Sequence, residues 1–220
     1  MLSPLALAST GLAPHARATN AEPGQRAEWH SPPISKPPQA PRTDLLQLES
    51  SWVIPSLHAL GLMTVMRTSE AVLWPDPFAD TSLLRFGVRY ADAFTLPPRW
   101  DGSRNAFEWD GDRWFINVVG HGLFGSELYL RARTCRKPLW QALLFTTLAS
   151  GVWEYGFEAN GVRPSALDLT FTPLSGWVLG EARFWTWSAA SSLRPGVLKQ
   201  VLQVAVDPLG ELERGLGAPC

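Results

Sequence analysis

At 220 residues the chain has room for one ordinary domain plus tails. A net charge of -1 gives no electrostatic basis for nucleic acid as the main partner. The charged share, 18%, lies below the roughly 25% of soluble domains. Eleven tryptophans are the main anomaly. Trp has an apolar ring and an N–H that wants a partner, so it favours membrane–water interfaces. Membrane association is therefore expected ahead of a Trp-rich soluble core or binding surface.

In chain order, residues 1–43 read as a disordered tail or a degenerate signal segment, rich in Pro, Ala and Ser. The opening MLSPLALASTGLAPHARA lacks a basic start and is expected to be a poor export signal. Residues 44–75 are expected to form an apolar helix capped by Asp44. Its uncharged run from Ser50 to Met66 is 17 residues, the lower limit for a span. Pro55 should kink it, so a core-facing or interfacial helix fits as well as a span. Residues 76–112 read as a loop-rich connector with extended pieces such as LLRFGVRY.

Residues 113–207 carry three helix-length blocks, about Trp114–Thr134, Pro138–Asn160 and Pro164–Ala190, then an amphipathic piece after Pro195. Pro138 suits a first turn, and Pro173 should kink or split the third block. Residues 208–220 read as a tail. The expected fold is mainly α: a small bundle of three to five helices, associated with a membrane. Cys135 and Cys220 show no metal-ligand or redox spacing, which leaves a disulfide and two free thiols both open.

The three blocks share one feature. Residues four apart lie on one helical face. Asn117, His121 and Gly125 form such a row, as do Thr147, Ser150 or Gly151, Glu154 and Glu158, and then Asp168, Thr172, Gly176 and Gly180. Each row mixes polar or ionisable groups with small residues that permit close helix approach. The simplest packing turns all three rows toward one another. His121, Glu154, Glu158 and Asp168 are the candidates for acid–base chemistry or metal ligation. Asn117, Ser165, Thr172 and Arg133 are candidate ligand contacts, with Arg131, Arg133 and Arg163 as countercharges. A buried network that fixes helix register or orients a ligand is the favoured reading of the cluster. One His among carboxylates, without a zinc-type spacing, assigns no metal, and no cofactor is specified. Glu127 and Glu181 read as capping or solvent-facing residues.

NVVGHGLFGSELYLRAR (Asn117 to Arg133), SGVWEYGFE (Ser150 to Glu158) and RPSALDLTFTPLSGWVLGE (Arg163 to Glu181) resemble the bacterial domain-of-unknown-function family 3943. Its loose pattern is matched by Asn117 and His121, then Trp153, Glu154 and Glu158, then Pro164, Ser165, Asp168 and Leu169, Thr172 and Pro173, and Gly180 and Glu181. The resemblance covers about residues 109–190. It implies an uncharacterised bacterial cell-envelope protein, some of whose relatives carry a barrel-like region downstream. The short stretch after Glu181 is expected to leave no room for one here.

Three functions follow as expectations. The first is a helical membrane-associated envelope module, with a membrane lipid or an envelope protein as partner and its oligomeric state open. The second is a membrane-surface hydrolase of a lipid-linked or phosphorylated substrate, using His121, Glu154, Glu158 and Asp168. The third is a periplasmic binding module with an aromatic pocket.

Overall fold

A computed structural model of the chain describes residues 51–218 and Cys220, all within the unit Asp44–Cys220. The expected N-terminal tail and the cap at Asp44 lie outside the described residues. Helix α1 (Val53–Leu73) begins so that Pro55 falls in its first turn, where the absent N–H would have had no intrahelical partner. Pro55 therefore belongs to the helix start rather than to the middle of a run, and α1 continues past Met66. A short turn, α2 (Pro75–Phe78), follows.

The stretch LLRFGVRY is not extended. It opens helix α3 (Leu83–Thr95), capped by Ser82, whose Oγ accepts the Arg85 N–H. Gly87 and Val88 suggest strand locally, but the inward residues Phe86, Arg89, Tyr90 and Ala93 recur at helical spacing. They are anchored through tertiary bonds, with Tyr90 donating to Gly156 O at 2.6 Å and Arg89 to Asn160 O at 2.7 Å. Here tertiary contacts override local propensity.

The three blocks are helices. A π-helical turn, Ile116–Gly120, leads into α4 (His121–Thr134). Helix α5 (Leu139–Val152) starts after Pro138, which caps it from outside the first turn, and runs into a second π stretch, Trp153–Glu158. Helix α6 (Ala166–Ser191) starts from Ser165, whose Oγ accepts the Asp168 N–H. Pro173 lies inside α6 without splitting it. Helices α7 (Val197–Val206) and α8 (Pro208–Gly215) complete the fold. The sequence from 208 is thus helical where a tail was expected, and a disulfide joins Cys220 to Cys135 at the end of α4. The mainly α class holds, with eight α-helices among the described residues rather than three to five.

Helix α4 is the central rod: Leu128, Tyr129, Leu130 and Ala132 are fully buried. Phe124 and Leu128 pack with Trp153, Ala149, Ala59 and Met63 from α5 and α1. Against α6 the contact is backbone to backbone. A Cβ on Gly125 would run into the Thr172 carbonyl, and one on Gly176 would sit 2.7 Å from the Gly125 carbonyl oxygen. One on Gly180 would lie 2.8 Å from the Tyr129 ring. These small residues bring Thr172 and Asp168 up to the start of α4. Gly176→Ala should therefore lower unfolding stability by about 1–3 kcal/mol through overpacking. Gly151→Ala, whose Cβ meets nothing within 4 Å, should be neutral or stabilise by up to about 1 kcal/mol. Urea midpoints of the two variants test this; equal tolerance would contradict the close α4–α6 contact.

Candidate functional site

The site forms where the first turns of α4 and α6 meet the π stretch after α5. His121 is the first residue of α4. Its Nδ1 lies 3.0 Å from Thr172 Oγ1, and its Nε2 lies 3.7 Å from Asp168 Oδ2. Glu154 enters from the π stretch; one of its oxygens, Oε2, accepts the Ser165 N–H at 2.8 Å. One ligand atom each from His121, Glu154 and Asp168 falls within 4.8 Å of the others. Both π turns sit at this place, one just before His121 and one carrying Glu154. Single π turns inside helices are a frequent mark of functional sites.

A fourth acid completes the cluster. Asp110 accepts from Ser165 Oγ at 2.7 Å and from Asn117 Nδ2 at 2.9 Å. It also accepts the Asp112 N–H at 3.0 Å, which folds the loop back on itself. Sequence periodicity does not reveal Asp110, because it lies in a turn, WDGDRW, ahead of the π turn and α4. The available signal was that acidic loop seven residues ahead of Asn117. Arg99, after α3, pins the start of α6: it pairs with Ser165 in an isolated parallel bridge, and its Nε donates to Arg163 O at 2.8 Å.

Burial governs the charge states. Desolvation lowers His121 to about 4, so the imidazole is neutral. Burial raises Glu154 to about 8, against the bond from Ser165 and the field of Arg99. Burial, then repulsion from Glu154 and Asp110, raises Asp168 to about 9. Glu158 is pushed well above the carboxylate range by burial and by the neighbouring acids Glu154 and Glu70. Asp110 behaves oppositely: burial would raise it, but bonds from Ser165, Asp168 and Asn117 hold it low. The close approach of His121 and Asp168 is thus a neutral contact, not an ion pair. Nδ1 can donate to Thr172, which leaves the Nε2 lone pair facing the acids.

Of the residues singled out from sequence, His121, Glu154, Asp168, Asn117, Ser165 and Thr172 come together here. Glu158 is buried beside them and lines a cavity of about 460 Å³ with Glu70, Asp112, Arg113 and aromatic walls from Trp74 and Phe115. Thr147 points outward, and Ser150 takes its row position, donating to Asp168 O at 3.2 Å. Arg133 does not join the site: it grips Glu181 at 2.9 and 3.0 Å, with Tyr129 on the same carboxylate at 2.7 Å. Arg131 also lies elsewhere, paired with Asp207 and Glu213. Glu127 and Glu181 are not simple solvent-facing or capping residues, since Glu127 is buried against Arg183 at 2.6 Å.

The shifts fix a pH dependence. Glu154 and Asp168 keep their protons in the fold up to about 8 and about 9, but ionise near about 4 when unfolded. Their contribution is full below the unfolded value and is lost as pH rises through the folded values. His121 acts oppositely, present above its ordinary value of 6.5 and lost as pH falls through about 4. Between about pH 6.5 and 9 the acids dominate, so cation-free protein should lose thermal stability as pH rises. The Glu154→Gln, Asp168→Asn double variant should flatten that slope. A melting temperature that climbs over this range would contradict the assignment.

Residues 106–209 match a family model described as a domain of unknown function (DUF3943), a span that takes in all of the site. No curated protein and no solved structure matches the chain. The match takes in the expected span of about 109–190 and runs on through α7. His121, Glu154 and Asp168 all lie within the stretch that matches the DUF3943 family model.

Proposed function

We propose that this is a membrane-associated helical module of the bacterial cell envelope, with its apolar outer faces set against lipid and a ligand-holding polar cluster inside. The observation that carries this reading is an inversion of the usual distribution. Arg131, Glu154, Asn117, Thr146, Thr172 and Asp207 are among the most deeply buried side chains. Outside, Trp140, Leu144, Leu148 and Val152 form an exposed stripe at four-residue spacing along α5. Leu174, Trp177, Val178 and Trp185 extend apolar surface along α6. Apolar surface of this extent on a folded domain marks an interaction site. The exposed tryptophans favour a lipid interface over a dry protein interface. No helix of the described residues is long and apolar enough to cross a membrane, so the reading is of a domain lying on the bilayer rather than threading it. The Cys135–Cys220 disulfide suits an oxidising compartment such as the envelope.

The module should co-sediment with phospholipid vesicles and stay bound in high salt, because the contact is apolar rather than ionic. Replacing Trp140, Leu144 and Leu148 together with Ser should weaken binding about tenfold or more, since each loses apolar area on transfer. Release by salt alone, or unchanged binding by the triple variant, would count against this reading.

A membrane-surface hydrolase is the second reading, favoured by the cavity that reaches Glu158 with Arg113 on its rim. A neutral His121 would serve as base or ligand, and Arg113 would meet a phosphoryl group. This reading expects His121→Ala and Glu154→Gln to abolish turnover of a lipid-phosphate substrate while the protein still accumulates and folds. Failure of both variants to accumulate would instead mark the cluster as structural.

A further inference from the structure

We propose that His121, Glu154 and Asp168 hold one divalent transition-metal ion, of the Zn²⁺ or Mn²⁺ class. This deepens the preceding reading by naming what the inner cluster holds, and it does not depend on lipid binding.

Two buried oxygens point to a missing partner. Glu154 Oε1 and Asp168 Oδ1 are buried without a hydrogen-bond partner among the described protein atoms, in residues only 1% and 2% exposed. Their companion groups are already fixed. Ser165 N–H holds Glu154 Oε2, and the Asp168 carboxyl is hydrogen-bonded to Asp110. Thr172 occupies the Nδ1 side of His121, which aims Nε2 at Asp168. An imidazole oriented through its second nitrogen, with its free nitrogen facing carboxylates, is the usual support of a metal-bound histidine.

Charge points the same way. The other half of α4 also buries acids, but there every acid meets a cation. Glu127 pairs with Arg183, and Asp207 with Arg131 and Arg214. Glu213 takes Arg131 and His58. Among the described residues no arginine forms an ion pair with Glu154 or Asp168; Arg99, whose field reaches Glu154, is bonded to Asp112 at 3.3 Å. A divalent cation offsets the charge that Glu154 and Asp168 carry as ligands and relieves the repulsion among these buried acids, Asp110 beside Asp168 included. On binding, one oxygen each of Glu154 and Asp168 becomes a ligand beside His121 Nε2. One nitrogen and two oxygens suit Zn²⁺ or Mn²⁺ better than a soft Cu⁺, and Ca²⁺ wants more oxygens. The three atoms, within 4.8 Å of each other, must draw in to about 3.4 Å for tetrahedral bonds of about 2.1 Å. The acid-lined cavity at Glu70, Asp112 and Glu158 offers a cation an approach one turn away from Glu154.

The test uses the full chain stripped with a chelator and then titrated with Zn²⁺ or Mn²⁺ by calorimetry and thermal melting. One ion should bind per chain and raise the melting temperature. Asp168→Asn and His121→Ala should each lose binding. Thr172→Val, which keeps the volume and all three ligands, should weaken it by about 10- to 100-fold. Absence of binding at millimolar metal would overturn the proposal, as would unchanged affinity in both His121→Ala and Thr172→Val. Vesicle binding by the stripped protein is read separately, so a failure here is distinct from a failure of the lipid reading.

Discussion

A carboxylic acid placed beyond the reach of water and of any arginine must keep its proton or acquire a cation. Glu154 and Asp168, 1% and 2% exposed and without an arginine ion pair, come close to that condition, and the packing of this domain puts them there. The close contact of α4 and α6 through Gly125 and Gly176 leaves no room for a long side chain between them. It sets Thr172 against His121 and carries Asp168 in beside them. Ser165 then ties three parts together, since it caps α6, binds Glu154 through its N–H and donates to Asp110. Loss of any one of these contacts would free a buried acid, so the network is cooperative by construction.

The two ends of α4 solve the same physical problem differently. Toward its C-terminus, Arg131, Arg183 and Arg214 neutralise Glu127, Asp207 and Glu213, and α8 is held down by these pairs and by the disulfide at Cys135. That end is a closed structure in which each charge is answered. Toward its N-terminus the acids have hydrogen bonds but few countercharges, and the π turns widen the helices there. A fold can afford one such unmatched cluster when the mismatch has a use, and the matched end supplies the rigidity that holds it.

The helical blocks and their inward faces were legible in the sequence because period-four rows survive whatever the helices pack against. His121, Glu154 and Asp168 were visible as ionisable groups inside apolar helices, and Gly125 and Gly176 as the small residues that let those helices close. Asp110 was not, because a loop residue has no periodicity to betray its direction; only tertiary folding turns it toward Ser165. Helix α3 was hidden by Gly87 and Val88, and its helical state rests on anchors more than sixty residues away. The place of Arg133 is hidden for a related reason. Its charge suits any nearby acid, and the sequence does not say that Glu181, one helix over, stands nearer.

The central claim is that three helical segments bring neutral histidine and protonated acids to a single buried point. Infrared spectroscopy of the cation-free protein at neutral pH tests it most directly. The account expects a carbonyl stretch from protonated carboxyl groups, diminished by Asp168→Asn and by Glu154→Gln taken separately. A spectrum with ionised carboxylate bands alone, unchanged by either substitution, would contradict it.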